Sequence, residues 1–162
     1  CGRFTLVVPS AEDLAGALGV DTSTPAFEAV RAAYRPRYNI APTDPHWVMR
    51  MKHGARELMG ASFGLVPRWA KSTADRAKAI NARGETIASM PKFRDSFARR
   101  RCVVAADGFL EWRTVEGAKR PLWFTPRAGG SLLLRVDPRG FFANVDFAAL
   151  ARFAAGVVPA GA

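Results

Sequence analysis

His46-Trp47-Val48-Met49-Arg50-Met51-Lys52, then His53-Gly54, then Glu57-Leu58-Met59-Gly60-Ala61-Ser62-Phe63, alternates in side-chain character on both sides of a short break. That pattern predicts two antiparallel strands joined by a tight turn at His53-Gly54. Working upstream, Arg3-Phe4-Thr5-Leu6-Val7-Val8 has the β-branched, apolar look of a strand. Ser10 then caps a helix to about Leu18, with Glu12 and Asp13 in its first turn, and a second short helix follows Pro25 to about Ala33. Arg35 to Thr43 is predicted irregular, because Pro36 and Pro42 interrupt both helix and ladder. Downstream of the paired strands, Gly64 to Trp69 reads as a loop, followed by helices at Ala82 to Ser89 and Lys92 to Arg100. Arg101 to Ala106 and Phe109 to Arg113 flank Asp107-Gly108, a tight-turn signal. Leu122 to Thr125 and Leu132 to Val136 are further strands, and Asp146 to Ala155 reads as a short helix. Many short strands with a few helices make an α+β protein rather than alternating β/α units.

The 162 residues suit one domain, spanning 1–162, and a hydrophobic content of 49% suits a packed core rather than disorder. A formal net charge of +10 points to a polyanionic partner. The two cysteines, Cys1 and Cys102, do not make a disulfide framework; Cys102 reads as a buried strand residue. A nucleophilic Cys1 has to stay reduced, which suits the cytoplasm or, in a bacterium, the nucleoid. The scattered histidines and cysteines have no zinc spacing, so neither a metal nor another cofactor is expected. No apolar run approaches the roughly 20 residues that span a bilayer, and no signal peptide is visible, so no membrane partner is expected.

Chemistry concentrates at the first residue. Cys1 carries a thiol (ordinary pKa about 8.5) and a free α-amine (about 7.7–8.0) on adjacent carbons. A translated message starts with methionine, so this start predicts processing. A 1,2-aminothiol attacks a carbonyl with nitrogen and closes a five-membered ring with sulfur; an aldehyde gives a thiazolidine. Three further segments gain meaning beside it. Asn81-Ala82-Arg83-Gly84-Glu85-Thr86 offers an amide, a guanidinium and a carboxylate, although a capped helix with solvated charges has the same look. In Asp107-Gly108-Phe109-Leu110-Glu111-Trp112 a carboxylate stands between large apolar residues, where burial raises a pKa and makes a general acid; the plainer alternative is a glutamate on the wet face. Phe63-Gly64-Leu65-Val66-Pro67-Arg68-Trp69 sets a tryptophan beside Arg68 and Lys71, the pairing that stacks a base and holds its phosphate, unless Trp69 belongs to the core.

Together these segments resemble the SRAP family (SOS-response-associated peptidase). Cys1-Gly2-Arg3-Phe4, Tyr38-Asn39-Ile40-Ala41-Pro42-Thr43, the Trp69 and Asn81 segments, Pro91-Lys92-Phe93-Arg94 and Arg101 to Trp112 fall in its order, and Lys119-Arg120-Pro121-Leu122-Trp123-Phe124 resembles its next strand. The resemblance covers Cys1 to about Phe124. It implies a mixed sheet or barrel of short, mostly antiparallel strands with a few flanking helices. It also implies a monomeric sensor that crosslinks its N-terminal cysteine to the ring-opened sugar of an abasic site in single-stranded DNA. Carried over, it makes Cys1 the crosslinking residue, Asn81 its orienting partner and Glu111 the acid that assists ring opening. Arg3, Asn39, Pro42, Arg68, Trp69 and Arg83 would line the DNA cleft. The family's name adds a peptidase activity, and the same Schiff base permits a lyase activity.

Nothing after Phe124 resembles the family's later strand or its histidine-bearing motif, and neither His46 nor His53 matches that histidine. A truncated or divergent last third is therefore expected, with slower ring opening. Two alternatives stand beside this reading: an N-terminal-nucleophile cysteine amidohydrolase, which fits the basic charge poorly, and a catalytically impaired binder of single-stranded DNA.

Overall fold

A computed structural model describes residues 2–74, 79–125 and 132–136, the last of these as backbone only. Eight strands and three helices are described, in the order β1 (Arg3–Leu6), α1 (Ala11–Leu18), α2 (Pro25–Ala33), β2 (Arg37–Ile40), β3 (Pro45–Lys52), β4 (Ala55–Ser62), α3 (Arg94–Arg99), β5 (Cys102–Ala106), β6 (Gly108–Val115), β7 (Ala118–Phe124) and β8 (Leu132–Val136). They form two four-stranded sheets, β2-β1-β6-β7 and β4-β3-β5-β8, with every described strand pair antiparallel. The α+β expectation holds. Among the described residues neither sheet closes into a barrel.

The first two helices form where local chemistry directs. The Ser10 side chain accepts from the Asp13 amide at 3.0 Å, and Gly19 closes α1 at φ 63°. Thr24 caps α2 ahead of Pro25, whose missing N–H costs nothing in a first turn. The core lies between the two sheets and under these helices. Phe4 of β1 meets His46 of β3 edge-on at 5.5 Å and Phe63 at 5.7 Å, so one apolar cluster joins both sheets. Full burial of each such side chain stabilises by roughly 1.5–3 kcal/mol. Cys102 is buried in β5, as expected.

Four expectations need correcting. Arg35 to Thr43 is not wholly irregular: Arg37–Ile40 pairs with β1 through a bulge. Pro36 and Pro42 lie outside this strand, and as a sheet edge it needs partners on one side only. Asp107-Gly108 is no hairpin turn, since β5 and β6 belong to different sheets and the chain changes sheet there. No helix forms over Ala82 to Ser89. Its amides bond irregularly, Thr86 and Ile87 both to the Arg83 carbonyl, while the Ser89 hydroxyl donates to the Thr86 carbonyl at 3.2 Å. Gly84, competing hydroxyls and Pro91 keep this segment as turns. The helix expected from Lys92 starts only at Arg94, with no side-chain cap. In the other direction, β6 and β7 run longer than expected and turn at Glu116-Gly117. The helix expected at Asp146 to Ala155 lies outside the described residues.

Candidate nucleic-acid interface

β1 organises the site. Its pairing with β6 sets Arg3 opposite Leu110 and Phe4 opposite Phe109. Continued by one residue, this antiparallel register brings Gly2 level with Glu111. Cys1, the residue before Gly2, lies outside the described residues. Glu111 is half-buried and faces Leu122 across β7.

Three hydrogen-bonded joints carry the site onward from Arg3. First, the Arg3 guanidinium donates to Asn39 Oδ1 at 2.8 Å, linking β1 to the edge strand. Second, the turn after β2 is held by Asp44. Its carboxylate accepts from the Ala41 amide at 3.1 Å and from Arg37 at 2.6 Å, which lets Thr43 adopt φ 76° and leaves Pro42 half-buried at the tip. Burial opposes ionisation of Asp44, but the Ala41 amide and Arg37, with Arg3 farther off, hold its pKa below the ordinary value. Third, the Thr43 amide donates to the Phe63 carbonyl at 2.7 Å, so the Pro42 turn abuts the start of the Trp69 loop. That loop returns where the Leu65 amide reaches the Ala79 carbonyl at 2.9 Å, two residues before Asn81.

Asn81, Arg83 and Arg68 are exposed, and Trp69 is 61% exposed, so the core reading of Trp69 is set aside. The structure thus joins Arg3 directly to Asn39. Backbone bonds at Thr43 and Leu65 tie the turn after Pro42 to the start of the Trp69 loop, and that loop to Ala79, two residues before Asn81. The β1–β6 register sets Glu111 beside the start of β1. No group of three or more potential metal ligands occurs among the described residues, and no helix there is long and apolar enough to cross a membrane.

Two positioning groups escaped the sequence reading. Arg37 and Asp44 shape the Pro42 turn, and an aspartate three residues after Ala41 was the available signal. Asp107, read as a turn residue, ties down the far end of β1. Its carboxylate accepts from Thr5 Oγ1 at 2.6 Å and from the Val7 amide, and its own amide donates to the Thr5 carbonyl at 3.0 Å. Nearby, the Tyr34 hydroxyl donates to the Val8 carbonyl at 2.6 Å; burial, with Asp107 and Asp13 close by, pushes its pKa up to about 12.

His46 takes no part in this surface. It is sealed between Phe4 and Phe63, its Nδ1 has no hydrogen-bond partner, and burial lowers its pKa to about 4 despite the nearby Asp44 carbonyl.

Among curated proteins, the chain is 35% identical over 117 residues to the abasic site processing protein YoqW of Bacillus subtilis, covering 72% of this chain and 49% of that protein. It is 36% identical over 100 residues to the abasic site processing protein HMCES of Gallus gallus, covering 54% of this chain and 30% of that one. The chain thus spans about half the length, or less, of these relatives. Among solved structures, a Bacteroides thetaiotaomicron protein superposes with a TM-score of 0.70 at 21% identity, over 83% of this chain and 58% of that one. A phage-related protein of Bordetella bronchiseptica gives 0.61 at 25%, over 83% and 59%. The profile of the SOS response associated peptidase family matches residues 1–136, past Phe124 and through β8, and the chain belongs to that family.

Proposed function

We propose that this chain recognises abasic sites in single-stranded DNA and binds them covalently through Cys1. The Cys1 amine attacks the aldehyde carbon of the ring-opened sugar, and loss of water leaves a Schiff base. The thiol sulfur then adds to that carbon while its proton passes to nitrogen, closing a thiazolidine. Glu111 protonates the departing oxygen, and Asn81 orients the terminus. Arg3, Arg68 and Arg83 hold phosphates, while Trp69 stacks a base and Asn39 and Pro42 shape the strand's path. The protein acts as a monomer in a reducing compartment. The observation that carries this reading is the β1–β6 register, which sets Glu111 level with the residue next to Cys1. Family membership and the exposed Trp69 support it.

Incubation with an abasic single-stranded oligonucleotide, read on denaturing gels and by intact mass, tests it. A stable adduct is expected with abasic and not with intact DNA. Cys1→Ser keeps the amine but loses the sulfur, and should abolish the heat-stable species. Glu111→Gln should slow adduct formation on the order of a hundredfold with little loss of affinity. Trp69→Ala should cost about 1–3 kcal/mol of binding. Equal adduct from Cys1→Ser removes the thiazolidine mechanism. Binding without any adduct in the folded chain would leave a non-covalent binder.

A further inference from the structure

The two faces of sheet β2-β1-β6-β7 differ. Phe109 turns to the core and stacks on Phe124 at 5.1 Å. Strand alternation puts Leu110 and Trp112 on the other face, where the register brings Trp123 opposite Leu110 and Pro121 opposite Trp112. Arg3, also opposite Leu110, continues the row, so Arg3, Leu110 and Trp123 cross three neighbouring strands. Trp112 is the diagonal neighbour of Trp123, at about 7–8 Å in such a ladder.

Gly108 shapes this face. A Cβ there would meet the Trp123 indole nitrogen, and would stand 2.9 Å from both Thr5 Oγ1 and the Phe124 carbonyl. Without it the indole leans across β6 and donates its N–H to Thr5 Oγ1 at 3.4 Å. Trp123 is nevertheless 59% exposed and Trp112 40%. A ring tethered at its edge and open elsewhere is held ready to stack. The cations fit the same purpose. Lys119, opposite Thr114, lies on the tryptophan face at its far end, and Arg3 lies at its near end.

We propose that this face is a second platform for single-stranded nucleic acid, on which Trp123 and Trp112 stack unpaired bases while Arg3 and Lys119 hold the flanking phosphates. It continues from Arg3 the strand path of the proposed function, and it rests on that reading. Charge argues against a second copy as the occupant. Two chains that each carry a net charge of +10 repel one another, whereas the same charge attracts a polyanion.

Oligodeoxythymidines of roughly four and roughly sixteen nucleotides, without abasic sites, test the platform by fluorescence anisotropy and tryptophan quenching. Trp123→Leu keeps an apolar side chain but loses the stacking ring. It should bind the longer strand about tenfold more weakly and the shorter one as before, whereas Trp123→Phe should stay within about twofold. Trp112→Leu should show the same length-dependent loss, several-fold, and serves if Trp123→Leu does not fold. Adduct formation with a short abasic oligonucleotide should be unchanged in all three. Wild-type affinity of the leucine variants for the longer strand overturns the platform, as does equal weakening on both lengths. A dimer by light scattering that Trp123→Leu dissolves also overturns it. If the wild type forms the abasic adduct but binds both plain oligonucleotides equally, the platform alone falls; if it neither binds nor forms adduct, the proposed function falls with it.

Discussion

The β3–β4 and β6–β7 hairpins turn on the same backbone device: His53 and Gly54 lie at φ 51° and 83°, Glu116 and Gly117 at 50° and 77°. Both turns suit right-twisted strands, and both pairings run in register for the length of the hairpin. Their surroundings differ. α2 packs on β4, β5 lies beside β3, and Val48, Met49 and Leu58 are buried. β7 is exposed along its whole length, Leu122, Trp123 and Phe124 included. Local sequence makes a hairpin; what packs on it decides whether its apolar residues build a core or remain a surface.

Truncation should separate the two hairpins most. Leu58→Ala, at 4% exposure, should cost about 2–5 kcal/mol by chemical denaturation, whereas Leu122→Ala, at 43%, should stay below about 1. Equal losses would mean that the β6–β7 hairpin is covered in solution.

The buried hairpin also carries an acid weakness. His46 has its folded pKa lowered from 6.5 to about 4, so it stays neutral in the fold while the unfolded chain takes up a proton. The stability this contributes is fully present above pH 6.5 and is lost as pH falls towards 4, on the order of 3 kcal/mol. His46→Leu should flatten that part of the stability–pH curve. An unchanged curve would show that His46 is protonated in the folded state.

Glycines sharpen the contrast on a smaller scale. Gly108→Ala should cost about 1–3 kcal/mol, because the new methyl group meets a backbone carbonyl that cannot swing aside. Gly54→Ala and Gly117→Ala have open space around them and only the positive φ to contend with. Each should cost about 1–2 kcal/mol, and the two should match. A clear inequality between these turns would break the comparison at its root.

Features set by neighbours in the chain were legible in the sequence: the Ser10 cap, Pro25 at a helix start, and the His53-Gly54 turn. The misreadings share a cause. Asp107-Gly108 carries a hairpin signal, but whether two strands pair depends on which sheet each joins, and that is decided by residues far away. β2 is hidden in the sequence because Pro36 and Pro42 crowd its two ends, and only its place at a sheet edge leaves room for a strand between them. In the site, residue types were legible and surroundings were not. No pattern around Trp69 separates core from surface, and nothing near Asp107 announces that it holds Thr5, about a hundred residues earlier.

That long-range tie has a consequence for how the molecule opens. One residue, Asp107, separates a strand of one sheet from a strand of the other, and the same residue grips β1 through its amide and its carboxylate. The Asp107 amide, bonded to Thr5, and the Val7 amide, bonded to Asp107, can exchange with solvent only when this junction comes apart. Two protons should therefore disappear together and late, at the pace of global unfolding, while amides along β7 wash out early. A pair of slow signals in the first and last thirds of the described chain would then report on a single event.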